Sequence, residues 1–362
     1  MEDRSNARVT GAVVGALVVT GVIVAALATG GGSDRAPKPG TSGPGTAANG
    51  PQTARPGRIK PRGRRQAVRR GRRGGRDLPG TGTGALLGIA DQKPATFADP
   101  RFRALGVRRT RLSTPWNSIF TEPGRLATWL DAAHSAGLEP LVAFEHARGD
   151  GCPASPCPLP PLSVYERAIR AFHARYPWVT LLQPWNEANS STQPTGRHPA
   201  RAAAYYEAAR RACPACTITG ADLLDSTNVV RWVSRFKDGL HGPVPRLWGL
   251  HNYSDVNRFR DTGTRRMLGA VPGEVWLTET GGIVSFMTSA GRAALPYDVN
   301  RAARAARYMF RLAARFPRIR RIYIYQWKID FPGNRFDSGL VAPDGRPRPA
   351  FAVVAGKRGL VR

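Results

Sequence analysis

Two glutamates stand out because each follows a short apolar run with the composition of a β-strand. Glu187 ends the run Leu-Leu-Gln-Pro-Trp-Asn-Glu at 181–187, and Glu279 lies within Glu-Val-Trp-Leu-Thr-Glu-Thr-Gly-Gly at 274–282. A carboxyl group can donate a proton, remove one or attack as a nucleophile, and two adjacent carboxyls can divide these roles. The pair therefore predicts acid–base and nucleophilic chemistry, provided that the fold brings the two residues together.

Other polar and aromatic side chains also follow apolar runs. They are Arg111, Glu145, His146, Asn186, His251, Tyr253 and Trp327. Aromatic rings offer an apolar face that can stack on a sugar ring, while charged and amide groups can bind its hydroxyls. This combination predicts a carbohydrate site if one end of a sheet collects these residues. We expect Glu145 to point into the wall of the fold, so it is left out of the catalytic pair.

The elements that would position these residues alternate along the chain. We predict strands at 86–90, 108–112, 140–144, 179–183, 217–221, 247–251, 274–278 and 321–326. Helices are predicted at 126–136, 163–176, 199–212, 228–236, 262–269, 299–316 and 349–354. Alternating strands and helices imply a parallel sheet, and eight such units imply an α/β fold of the (β/α)8 TIM-barrel type.

An open, doubly wound sheet is the main competing fold. It loses support because no Gly-x-Gly-x-x-Gly follows the first predicted strand. In a barrel, the active site lies at the C-terminal ends of the strands. Glu187 follows the fourth predicted strand and Glu279 the seventh, so the barrel would make them neighbours across one cleft.

These motifs resemble those of clan A glycoside hydrolases, the retaining barrel enzymes with catalytic glutamates after strands four and seven. Asn186-Glu187 matches the acid/base motif of that clan, and Glu279 matches its nucleophile. The resemblance covers about residues 84–356. It implies a double displacement, in which Glu279 attacks the anomeric carbon while Glu187 protonates the leaving oxygen and later activates water.

The resemblance extends to residues around the first sugar subsite of families 5 and 39. Arg111, His251-x-Tyr253 and Trp327 match positions that members of these families use there. It implies that Arg111 and Tyr253 keep Glu279 ionised and that Trp327 forms the floor of the subsite.

Roles for the remaining polar residues follow from the same resemblance. Asn186 would bind the sugar 2-hydroxyl, and His146 and His251 would position hydroxyls or Glu187. The implied substrate is an extracellular poly- or oligosaccharide, with β-linked sugars favoured. The alternatives are a transglycosylase and a non-catalytic carbohydrate-binding or scaffold barrel.

The N-terminal 77 residues differ from the rest of the chain. Residues 1–29 contain an uncharged apolar stretch that predicts either a single membrane-anchoring helix or a signal peptide cleaved near Ala28. Residues 30–77 are rich in Gly, Pro and Arg and predict a disordered linker before a catalytic domain at 78–362. Both readings of the apolar stretch imply an extracytoplasmic protein.

The charge of the linker allows two interpretations. Residues 55–76 hold eleven Arg or Lys and no acidic residue. They could tether the protein to an anionic surface polymer, to lipid headgroups or to nucleic acid, or they could be a solvated linker. The solvated linker is favoured over nucleic-acid binding because Arg is abundant throughout: the whole chain carries +29, and residues 1–77 account for only +11 of it.

The four cysteines form two close pairs, Cys152/Cys157 and Cys213/Cys216. Two local disulfides in an exported domain are the simplest interpretation. A zinc ion held by four thiolates and free cytosolic thiols are the alternatives. No other metal motif, Walker loop or Gly-x-Ser-x-Gly is present, so the sequence predicts neither a metal nor a cofactor.

Overall fold

The computed structural model describes residues 84–288, 290–329 and 331–357. The apolar segment at 1–29 and the basic linker at 30–77 lie outside these residues, as do the two ends of the predicted catalytic domain. Within the described part, every helix is too short or too polar to cross a bilayer.

Nine strands of the described chain form one sheet, and all of their pairings are parallel. Their bounds are Leu86–Ala90, Arg109–Pro115, Glu139–Glu145, Leu181–Gln183, Thr217–Ile218, Asp222–Leu224, Leu247–His251, Glu274–Thr280 and Ile319–Tyr325. All eight predicted strands are present, with ends that differ by a few residues.

The sheet closes on itself through the fifth predicted strand. Its strand order begins at Thr217–Ile218 and ends at Asp222–Leu224, and three residues of the same chain segment separate these two strands. The first half pairs with the fourth strand and the second half with the sixth. The first and eighth strands also pair, so the two halves together form the fifth of eight barrel strands. The structure is an α/β barrel.

Successive side chains of the barrel strands alternate between the lumen and the surrounding helices. In the third strand Leu141 belongs to the inner apolar cluster, whereas Val142 and Phe144 pack outward in the main core. Phe144 meets Phe172 of a covering helix edge to face, with ring centroids 5.4 Å apart. Burial on both faces explains why these strands read as continuous apolar runs.

The α-helices cover the outside of the barrel or lie in its loops. Their bounds are Pro100–Leu105, Ser118–Thr121, Pro123–Ser135, Leu162–Arg175, Pro199–Ala212, Val229–Asp238, Tyr253–Asn257, Thr262–Ala270, Val299–Arg315 and Pro349–Ala355, with short 3₁₀ turns at Pro94–Ala98 and Pro194–Arg197. The helix at Val299–Arg315 shows why they pack as they do: Ala302, Ala306 and Met309 are buried, while Arg304 and Arg307 are exposed.

A second, antiparallel sheet forms in the loops after the seventh and eighth strands. It consists of Ser285–Met287, Ala293–Leu295 and Phe336–Asp337. Phe336 packs edge to face on Tyr253, with ring centroids 5.5 Å apart. The sequence predicts no strand between 285 and 295, because the two strands there are three residues long and carry no clear alternation.

Both cysteine pairs are joined as disulfides, Cys152–Cys157 and Cys213–Cys216. The disulfide prediction is confirmed, and the alternatives of a four-thiolate zinc site and of free thiols are wrong. Cys152–Cys157 staples the loop after the third strand, and Cys213–Cys216 the turn that leads into the fifth.

Candidate active site

The predicted site residues come from six barrel strands or from the loops that follow them. The second strand supplies Arg111, the loop after the fourth supplies Asn186 and Glu187, the sixth ends at His251, and Glu279 lies near the end of the seventh. All five are buried, and Glu187 and Glu279 expose only 4% and 3% of their surface. Charged groups so deeply buried require partners.

Arg111 is the hub of the site. Its Nη1 donates to Glu279 Oε2 at 2.9 Å, and its Nη2 donates to Asn186 Oδ1 at 2.6 Å and to Asp222 Oδ2 at 2.8 Å. Its Nε donates to Gln183 Oε1 at 2.7 Å. A rigid guanidinium fork can fix several groups at once in this way. Burial alone would lower the pKa of Arg111, but Asp222 and Glu279 outweigh burial and raise it.

Glu187 is held by an unusual backbone conformation. Its φ is 46°, in the left-handed region that residues other than glycine rarely adopt. Trp185, two residues earlier, turns outward, stacks on Tyr205 at 5.1 Å and donates its indole N–H to Gln193. These contacts hold Trp185 outside the barrel, and the chain turns inward after it. Glu187 Oε1 then lies 3.0 Å from His251 Nδ1. Such strain is common where function requires a side chain at a fixed position.

Glu279 is held by two donors. Besides Arg111, Tyr253 Oη donates to its Oε1 at 3.2 Å. The predicted contacts of Arg111 and Tyr253 with Glu279 are therefore present. One oxygen of Glu187, one of Glu279 and a ring nitrogen of His251 all lie within 4.8 Å of one another. This separation is close to the ~5–5.5 Å between carboxyls in retaining glycosidases.

The environment of Glu187 favours its protonated form. Burial raises the pKa of Glu187 above its ordinary value, and the hydrogen bond from His251 opposes this rise.

His251 lies beneath the two glutamates with no exposed surface. Its Nε2 lies 2.9 Å from Asp222 Oδ2, and its Nδ1 faces Glu187. Burial alone would lower the pKa of His251, but Asp222 and Glu279 raise it to about 10. The imidazole is therefore a cation at neutral pH. The prediction offered two roles for this ring, and the structure places it against Glu187.

Asn186 joins a further carboxyl to the site. Its Nδ2 donates to Glu145 Oε2 at 3.4 Å, and Ser113 Oγ donates to the same oxygen at 3.0 Å. Glu145 therefore points into the lumen, in step with Leu141 of the same strand, and the prediction that it points into the wall is wrong. Burial raises the pKa of Glu145.

Two predicted residues lie apart from this network. His146 is half-buried, and its Nδ1 contacts the backbone oxygen of Ala147 at 3.0 Å. Trp327 is only 1% exposed and packs edge to face on Phe102, with ring centroids 5.5 Å apart. Its indole N–H donates to Asp99. The structure thus corrects the prediction for Trp327, because the ring belongs to the outer core and does not form the floor of a sugar subsite.

Three polar residues of the network were not among the predicted site residues, namely Gln183, Asp222 and Thr278, and a fourth, Glu145, was named but left out of the catalytic pair. Asp222 and Thr278 bond each other, and both line the lumen beneath Glu279. Strand alternation could have found Gln183 and Thr278, since each lies an even number of residues from an inward-facing position. The sequence suggests Asp222 only as a residue that could line the cleft, because the break in the fifth strand interrupts the alternation.

Metal binding gains no support from this constellation. Glu187, His251 and Glu279 are close enough to ligate one ion, but Arg111 and the imidazolium already neutralise their charge. The other two clusters of candidate ligands each depend on cysteine sulfurs that form disulfides.

Structural comparison relates the barrel to solved glycoside hydrolases. It resembles a family 39 β-xylosidase from Caulobacter crescentus (TM-score 0.54, 17% identity, 75% of this chain and 70% of that one). It also resembles a family 10 enzyme from Paenibacillus barcinonensis (0.53, 13%, 77% and 96%) and a family 5 enzyme from Streptomyces cattleya in complex with GlcNAc (0.50, 16%, 76% and 80%).

These comparisons confirm the predicted resemblance at the level of the fold. The chain spans 63% to 70% of the length of the family 39 and β-xylosidase chains that come first among its matches. No protein-family profile matches it, and no characterised protein matches it in sequence.

Proposed function

We propose that this protein is a retaining glycoside hydrolase that cleaves β-linked O-glycosidic bonds. The observation that carries the proposal is the placement of Glu187 and Glu279, whose facing oxygens lie within 4.8 Å of each other at the C-terminal mouth of the barrel. Their different partners support different roles. Glu279 is paired with Arg111 and serves as the nucleophile, while Glu187, in its buried position, serves as the acid and base.

The proposed reaction follows from these contacts. Glu279 attacks the anomeric carbon as Glu187 gives its proton to the departing oxygen, and a covalent glycosyl-enzyme results. Glu187 then removes a proton from water, which attacks the same carbon and releases Glu279. Asn186 directly precedes Glu187, and Arg111, which donates to Glu279, also donates to the side-chain oxygen of Asn186. Its nitrogen is oriented toward the lumen by Glu145 and is the proposed donor to the sugar 2-hydroxyl.

The substrate is proposed to be an extracytoplasmic poly- or oligosaccharide. Two disulfides support an oxidising compartment, since cytosolic proteins seldom keep them. Anchoring through residues 1–29, or secretion after cleavage near Ala28, and contact of residues 55–76 with an anionic surface polymer remain proposals from the sequence. Xylosides and glucuronides are natural first probes, because solved proteins of similar fold include a β-xylosidase and a β-glucuronidase.

The decisive variant is Glu279→Gln. It keeps the size of the side chain but removes the attacking charge, so hydrolysis of 4-nitrophenyl β-xyloside, β-glucoside and β-glucuronide should fall to background. Proton NMR of the parent reaction should show the β-anomer first, because two inversions restore the configuration.

Glu274→Gln is the matched control, since Glu274 starts the same strand at its opposite, exposed end. It should leave activity unchanged. Glycan binding by the parent without turnover of any glycoside would instead favour a non-catalytic barrel. A product of inverted configuration would rule out the double displacement.

A further inference from the structure

Asp222 is an ionised group that the proposed reaction does not use. It is fully buried, and three donors converge on its carboxylate. Arg111 Nη2 and His251 Nε2 approach Oδ2 at 2.8 and 2.9 Å, and Thr278 Oγ1 donates to Oδ1. These contacts outweigh burial and lower the pKa of Asp222 to about 2. A carboxylate so fully satisfied can hold a cationic partner in one orientation.

The contacts of Asp222 decide which nitrogen of His251 carries a proton. An ionised oxygen at 2.9 Å requires a hydrogen on Nε2, because two lone pairs would repel each other. Arg111 Nη2 lies 3.4 Å from the same nitrogen. Arginine can only donate hydrogen bonds. Arg111 Nη2–H and His251 Nε2–H are therefore two neighbouring donors that share Asp222 Oδ2 as their acceptor.

The protonated imidazole in turn decides where Glu187 can carry its acid proton. Asp222 fixes the hydrogen on Nε2, and the raised pKa of His251 places a second one on Nδ1, which faces Glu187 Oε1 at 3.0 Å. An oxygen that accepts this hydrogen bond cannot also present a proton toward His251. The acid proton of Glu187 therefore belongs on Oε2, the oxygen that is free to face a leaving group.

We infer that Asp222 is a positioning residue, which keeps His251 doubly protonated so that the acid proton of Glu187 is held on Oε2. This inference rests on the proposed function. During the first step the Oε2–H proton passes to the glycosidic oxygen as its bond to the anomeric carbon breaks, and the bonding electrons stay on that oxygen. Glu279 forms the new bond to carbon. The carboxylate left on Glu187 accepts the Nδ1–H bond, which stabilises the product of proton transfer.

The charges around His251 are consistent with this assignment. Asp222 and Glu187 face its two nitrogens, Glu279 Oε2 lies 3.9 Å from Nδ1, and the Arg111 cation lies on the Nε2 side. Glu145 is more distant and reaches the network only through Asn186.

Asp222→Asn tests the inference through the dependence of rate on the leaving group. Without the anion, His251 becomes neutral, its Nδ1 accepts the Glu187 proton, and acid assistance is lost. For phenyl β-xyloside or β-glucoside, whose leaving group needs a proton, kcat/KM should fall about 10²-fold or more. For the 2,4-dinitrophenyl glycosides, which leave without protonation, the loss should be much smaller. Equal losses for both leaving groups would mean a merely structural role and would overturn the inference.

Two further variants guard against a general loss of folding. Thr278→Val keeps the Asp222 charge but removes one donor, and it should give a smaller loss with the same leaving-group pattern. Asp225→Asn removes another buried acid of the same segment, one that bonds the backbone N–H of Asp255. It should retain the leaving-group dependence of the parent.

The ¹⁵N NMR signals of the His251 ring give a readout that needs no turnover, assigned by comparison with His251→Gln. In the parent chain both nitrogens should be protonated at pH 8, and in Asp222→Asn one should lose its proton. A neutral ring in the parent would overturn the inference. A doubly protonated ring in a parent that hydrolyses no glycoside would support the inferred charge state and instead refute the proposed function.

Discussion

At the scale of single residues, the site pairs buried basic side chains with buried carboxyl groups. Arg111 and His251, whose pKa values are both raised, lie against Asp222 and Glu279, while burial raises the pKa of Glu187. Two basic side chains are thus paired with two carboxyl groups. The pairing explains how several titratable groups can share the mouth of the barrel without the large penalty of an unpaired buried charge.

This pairing predicts a decline of stability at alkaline pH. The pKa of His251 is raised in the fold from 6.5 to about 10. A raised pKa means that protonation stabilises the folded state, fully below pH 6.5 and progressively less as the pH rises to 10. At 1.36 kcal/mol per unit, the free energy of unfolding should fall by about 5 kcal/mol over this window. Urea titrations at intervals of one pH unit would measure it.

His251→Asn should flatten the same curve between pH 7 and 10. Asp225 contributes over a different range, because its pKa is raised from 3.8 to about 7 and its stabilising effect is lost between those values. An unchanged alkaline slope in the His251 variant would mean that other groups account for the decline.

At the scale of elements, a glycine in the sixth strand makes room for the polar layer below the proposed catalytic pair. A Cβ at Gly249 would lie 2.7 Å from Gln183 Nε2 and 2.9 Å from Thr278 Oγ1, and closer still to Asp222. Any side chain there would collide with the groups that hold Arg111 and His251. The strand thus places the His251 side chain in the lumen at its end. Two residues earlier, on the same face, Gly249 has no side chain and leaves space for the neighbouring polar groups.

Gly249→Ala should therefore impair the site more than a typical surface change would. Overpacking of this kind costs about 1–3 kcal/mol, and it should also displace Asp222 and lower kcat/KM on phenyl glycosides. Thermal unfolding and steady-state rates would separate the two effects. Gly124→Ala is the control, because no atom lies within 4 Å of its added Cβ, and it should be neutral for both. Normal activity in Gly249→Ala would show that the polar layer tolerates displacement.

At the scale of the whole molecule, the barrel and much of its site could be predicted because their signals are local. Eight strands came from composition and spacing, and the convergence of Glu187 with Glu279 followed from strand order alone. Contacts that depend on side-chain direction could not be predicted in this way. Trp327 packs in the outer core just beyond the eighth strand, and Asp222 begins the second half of the broken fifth strand.

The position of the site within the chain predicts that the N-terminal region is dispensable for the chemistry. The hydrogen-bonded network described above runs from Arg111 to Glu279. A shortened chain comprising residues 78–362 should retain the kcat/KM of the full chain on soluble aryl glycosides, measured at matched ionic strength. Loss of activity that returns when residues 55–76 are restored would assign the basic segment a direct role, in line with an anionic-polymer partner.

The left-handed backbone of Glu187 has a consequence for attempts to engineer this protein. Glycine adopts that conformation without steric penalty, whereas another residue there costs about 1–3 kcal/mol. A selection for thermostability alone will favour replacing this glutamate, because it detects the stability gained from relief of strain and does not measure catalytic activity. If Glu187 is the acid and base of the proposed reaction, stability and turnover make opposite demands on position 187, and a stabilised variant must keep the glutamate.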